Sequence, residues 1–174
     1  MLSVTQTIPD HGEICENNIS GEFYMTKDIL VRVRGTQTIG EEEDTVEMIT
    51  PGTYYEKNGK QYFIYDESLD ETGEPTHNTV KIMENRIEVT KRGLVDSHMI
   101  FEPGKRTTAN YRTPMGLFLM GITTSFLEIA EDEESILLKI KYSMEMNGQY
   151  AFDCSTEILA SSKKDEVLGI VAKD

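Results

Sequence analysis

Apolar and polar residues alternate through most of the chain, and a period of two is the signature of half-buried β-strands. Ile29, Val31 and Val33 fall on one face, with Arg32 and Arg34 on the other. Gly40 to Asp44 reads as a charged connection. A second strand runs from Thr45 to about Lys57, with Val46 and Met48 on one face. Pro51-Gly52 interrupts it as a bend or bulge would. Asn58-Gly59 is a strong two-residue hairpin signal, and Lys60 to Glu67 pairs back, with Phe63 and Tyr65 sharing a face.

The same grammar continues to the C-terminal region. Thr76 to Met83, Arg86 to Lys91, Val95 to Phe101 and Arg106 to Thr113 read as strands joined by short turns. Pro114-Met115-Gly116 breaks the pattern before a long strand from Leu117 to Ile129. Gly116 and Gly121 are expected to relieve crowding where these strands curve. Ile136, Leu138, Ile140, Tyr142 and Met144 share one face of the next strand. Asn147-Gly148 turns the chain again, and Tyr150, Phe152, Cys154, Thr156 and Ile158 form the apolar face of the last.

No segment reads as a helix of useful length. A meander of this kind must bury one face and protect its edges, and closure into a barrel does both. The expected fold is all-β, an antiparallel meander closed into a barrel of about 8–10 strands. A two-sheet sandwich is the alternative, but it uses longer crossing links, and the one long link here is Ser68 to Pro75. The expected organisation is an arm over residues 1–24, or an upstream start ahead of Met25, then a barrel domain over 25–160 and a tail over 161–174. Val167 to Val171 is left as a short strand or a helical turn.

Composition narrows the function classes. A chain of 174 residues is long enough for one domain with a real core. Its net charge of −14 repels phosphate backbones and anionic lipid, which argues against nucleic acid or a membrane surface as partner. Two distant cysteines, Cys15 and Cys154, do not make a disulfide framework. No signal peptide or apolar membrane helix is legible, so a cytoplasmic location is expected. Asn18-Ile19-Ser20 matches the glycosylation tripeptide by chance in that setting.

Several motifs together resemble the YwiB-like proteins, small bacterial proteins of unknown function with a calycin-like β-barrel. The matching residues run from Val31-Arg32-Val33-Arg34-Gly35 through Gly52-Thr53-Tyr54-Tyr55, Asn58-Gly59-Lys60, Tyr65, Glu67 and Thr79 to Ile82. The densest match is Phe101-Glu102, Gly104-Lys105, Tyr111, Thr113-Pro114, Gly116, Met120 and Thr123, and Tyr142 with Asn147-Gly148 completes it. The resemblance covers about Asp28 to Ile158 and implies a fold, because the family carries no established activity; fold alone does not license function.

Catalytic and metal chemistry find no support in the residues. The acidic runs sit at connections, where solvated charge keeps strand edges from pairing with other chains. Asp66, Ser68 and Asp70 have the spacing of a calcium loop, but Glu71 and His77 stand where glycine and glutamate are required. His11, His77 and His98 lack metal-ligand spacing, no GxSxG or phosphate loop exists, and neither cysteine has a basic neighbour in sequence. No catalytic residue, metal or cofactor is therefore assigned. The aromatic-rich strands instead suggest a pocket for a small, partly apolar ligand, with Arg34, Tyr55, Tyr65, Glu67 and Arg112 as candidate binding residues. An arginine is expected to pair with Glu67 at the barrel mouth, either to orient a ligand head or to close one end. The alternative is a structural or interaction protein whose barrel is filled by its own side chains.

Overall fold

The computed structural model describes residues 27–68 and 73–162. Its strands are β1 (Asp28–Ile39), β2 (Glu42–Lys57), β3 (Lys60–Glu67), β4 (Thr76–Met83) and β5 (Arg86–Gly93). They continue as β6 (Ser97–Phe101), β7 (Arg106–Thr113), β8 (Gly116–Glu131), β9 (Ser135–Met146) and β10 (Gln149–Ser162). They form one antiparallel sheet in the order β6-β5-β4-β3-β2-β1-β10-β9-β8-β7. The first strand pairs with the last, Ile29 opposite Ser162 and Thr38 opposite Asp153. This is the expected all-β barrel, with ten strands.

Closure is nearly complete. The two ends of the sheet, β6 and β7, meet at one bridge, where Asp96 N donates to Arg112 O at 3.0 Å and Arg112 N donates to Asp96 O at 2.9 Å. Farther along this seam, Thr107 Oγ1 donates to Ile100 O at 2.7 Å. The two Asn-Gly turns have the positive φ that a tight hairpin requires, at 53° and 69° for Asn58-Gly59 and 48° and 81° for Asn147-Gly148.

Local details depart from the sequence expectations. Glu42 to Asp44 belong to β2, because its ladder with β1 continues through Gln37–Asp44 and Thr38–Glu43 to Ile39–Glu42. That ladder also passes through Pro51-Gly52 without a register shift. The shifts lie at Thr124/Phe126 in β8 and Tyr150/Phe152 in β10. The second of these turns Tyr150 outward, 59% exposed, while Cys154 and Ile158 remain buried. A bulge changes which face the following residues occupy, so simple alternation mis-assigned Tyr150. β10 also extends two residues past the expected boundary, ending at Ser162. The arm, the Met25 start and Val167 to Val171 lie outside the described residues.

The two glycines of the β7–β8 hairpin serve different needs. Gly116 has φ +135° with open space around it, so conformation and not crowding selects glycine there. Gly121 does face crowding: a Cβ there would run into the Arg106–Glu145 pair, whose Nη2 and Oε2 are 2.6 Å apart.

Packing divides the interior lengthwise. Ile29, Val31, Phe63, Val80, Ile136 and Leu138 are fully buried and fill one end. Toward the other end the inward positions surround a space.

Candidate functional site

A cavity of about 550 Å³ occupies that second half of the barrel. Its floor and walls are largely apolar, with Met99, Phe101, Met120, Ile140 and Met144 among them. Val46 lines it at the mouth and is 67% exposed. The Phe101 and Tyr142 rings pack at 4.9 Å between centroids, tilted by 56°, and fix one wall. Tyr142 also reaches Thr156 Oγ1 at 3.4 Å.

One side of the wall is polar. Glu67 and Lys91 both line the cavity, with Lys91 Nζ 2.7 Å from Glu67 Oε2. The pairing of Tyr65 with Asn78, of Asn78 with Lys91 and of Lys91 with Ser97 sets these four side chains in one row across β3 to β6. Asn78 is fully buried; its Nδ2 donates to Glu67 Oε2 at 3.4 Å and to Thr76 O at 3.1 Å. Among the described residues, Asn78 Oδ1 and Ser97 Oγ are buried without a hydrogen-bond partner.

Burial sets the ionisation of this wall. Tyr65 and Tyr142 are held far above the ordinary phenol value by desolvation, and the charge of Glu67 adds to the effect on Tyr65. Tyr111 is raised by the same two causes in the same order. Burial likewise pushes the Cys154 thiol up, with its hydrogen bond to Tyr142 acting the other way. A thiol raised in this way is a poor nucleophile at neutral pH. Asp66, considered above for a calcium loop, faces His77 on the outside, Oδ1 to Nδ1 at 2.5 Å.

The structure gathers only part of the expected site. Tyr65 and Glu67 line the cavity. Arg34 is exposed between the inward neighbours Val33 and Gly35, so it faces outward. Tyr55 is on the outer face, stacked on Tyr62 at 4.6 Å between centroids with the rings parallel to within 1°. Arg112 is exposed at the seam. The arginine expected beside Glu67 is absent from the cavity; Lys91 takes that place. An offset of one residue moves a strand side chain to the opposite face, which separates Arg34 and Arg112 from the interior. Lys91 was legible in principle, since Ile87, Val89 and Lys91 alternate on one face of β5. Its charge disguised it as a solvent-facing end of that strand.

Comparison with known proteins agrees with this architecture. The family model described as Domain of unknown function (DUF1934) matches residues 31–158. The chain belongs to the DUF1934 family. The Uncharacterized beta-barrel protein YwiB of Bacillus subtilis (strain 168) is 29% identical over 107 residues, which is 62% of this chain and 74% of that relative. The crystal structure of ywiB protein from Bacillus subtilis superposes with a TM-score of 0.70 at 24% identity, covering 78% of this chain and 92% of that one. At that identity the likeness establishes the DUF1934 barrel as a shared fold and says nothing of a ligand.

Proposed function

We propose that this DUF1934 barrel is a non-enzymatic cytoplasmic protein that binds a small, partly apolar molecule inside the barrel, in the manner of calycin-like folds. The observation that carries this reading is the cavity of about 550 Å³, a size typical of small-molecule sites, with an apolar wall and a confined polar cluster. Tyr65 and Glu67, joined by Lys91 and Tyr111, are the residues assigned to the polar end. The free, buried Cys154 accords with a reducing compartment.

Native mass spectrometry of protein purified from its own host tests the reading. A small molecule retained by the native chain, and lost when Thr156→Phe fills the cavity with the fold intact, is the expected result. A chain that carries nothing, and takes up no apolar fluorescent probe, points to the second reading. That reading, an interaction protein, is favoured by the exposure of Met115, Leu117 and Leu119 around the β7–β8 turn, at 91%, 61% and 51%. Sedimentation of the native chain and of Leu117→Ser/Leu119→Ser compares its association directly.

A further inference from the structure

Among the described residues that line the cavity, Glu67 and Lys91 are the only charged ones, and they are paired with each other at 2.7 Å. The cavity wall therefore presents no net charge. A charged ligand head entering it has two routes. It loses its hydration without a counter-charge, or it displaces one member of the existing pair and leaves the other uncompensated. Both are costly in a largely apolar enclosure.

A neutral head meets neither penalty. Lys91 Nζ carries three N–H donors, and Glu67 Oε1 has no hydrogen-bond partner among the described residues, so the pair can still donate and accept. The Tyr65 and Tyr111 hydroxyls, which line the cavity, are protonated at neutral pH as ordinary phenols are, and burial raises both further. From outside, a net charge of −14 further disfavours the approach of an anion.

We infer that the ligand of this barrel has a head group of zero net charge that both donates and accepts hydrogen bonds, with a primary amide the best match, on an apolar body. This inference rests on the ligand-binding reading above.

Calorimetric titration of the full chain at neutral pH with decanamide, decanoate and decylamine tests it, since the three share one apolar body and differ in the charge of the head. Decanamide should bind tightest, with each charged congener weaker by at least about tenfold. In Glu67→Gln the unopposed Lys91 should tighten decanoate; in Lys91→Met the unopposed Glu67 should tighten decylamine. These opposite shifts serve as independent checks if one variant fails to fold. A charged congener that binds the native chain as tightly as decanamide overturns the inference and leaves the ligand-binding reading standing. Failure of all three to bind overturns both.

Discussion

Lys91 Nζ lies 2.7 Å from Glu67 Oε2, and the two residues are 24 positions apart in the chain. They come from β5 and β3 and meet across β4, where Asn78 joins them through Glu67 Oε2. Their side chains are 18% and 27% exposed, so the pair is largely screened from bulk water.

Removing one partner should cost more than removing both. Lys91→Met leaves the partly buried Glu67 carboxyl without its counter-charge, with an expected loss of about 1–3 kcal/mol. Glu67→Gln/Lys91→Met should recover most of that loss. Urea unfolding of the native chain, the single variant and the double variant measures it. A double variant no more stable than Lys91→Met alone would show that the pair is not the source of the cost.

Alkaline pH should destabilise the barrel in a definite direction. Tyr65, Tyr111 and Tyr142 have phenols raised in the folded state, so folding favours their protonated forms. Their contribution is fully present below the unfolded value of about 10 and declines as pH rises beyond it. Phenolate absorbance should therefore develop in two stages, exposed tyrosines first and these three only with unfolding. A single stage completed while the fold persists would contradict the burial of these rings.

The two hairpin glycines should respond differently to substitution. Gly116→Val places a β-branched side chain at φ +135°, and should cost about 1–3 kcal/mol despite the open space. Gly121→Ala meets only the movable ends of Arg106 and Glu145, an exposed pair whose displacement should cost less than about 1 kcal/mol. Thermal melting of the two variants ranks them, and an unchanged Gly116→Val would refute a conformational role.

The seam between β6 and β7 should exchange amide hydrogen faster than the strands around it. Asp96 and Arg112 bond to each other across the seam, so the alternation of a strand directs the His98 and Asn110 amides there too. No β6–β7 ladder bond receives either one. The Met99 amide points the other way, into the β5–β6 ladder. Hydrogen exchange followed by nuclear magnetic resonance should find His98 and Asn110 much less protected than Met99. Equal protection of His98 and Met99 would mean that the barrel is fully closed there.

Much of the barrel was legible because its causes are local. Period-two alternation marked the strands, Asn58-Gly59 and Asn147-Gly148 marked two hairpins, and short links made every neighbour antiparallel. Within single strands the faces were also correct, as for Phe63 with Tyr65 and for Ile136 with Leu138. The site was legible only in part. Tyr65 and Glu67 share the inward face of β3, but nothing local distinguishes an inward lysine at Lys91 from an exposed one, or an outward Tyr55 from a pocket wall.

The sequence by itself determined the strands, their hairpin order and the all-β class, because each depends on residues within a few positions of one another, whereas closure rests on the distant pairing of Ile29 with Ser162. Only the tertiary structure decided that one end is packed solid and the other hollow, that a shift at Tyr150/Phe152 turns Tyr150 outward, and that Lys91 is the partner of Glu67. Those outcomes depend on the register between strands and on how well side chains from opposite walls fill the interior. Such quantities are set by side chains distant in sequence, and no period along the chain records them.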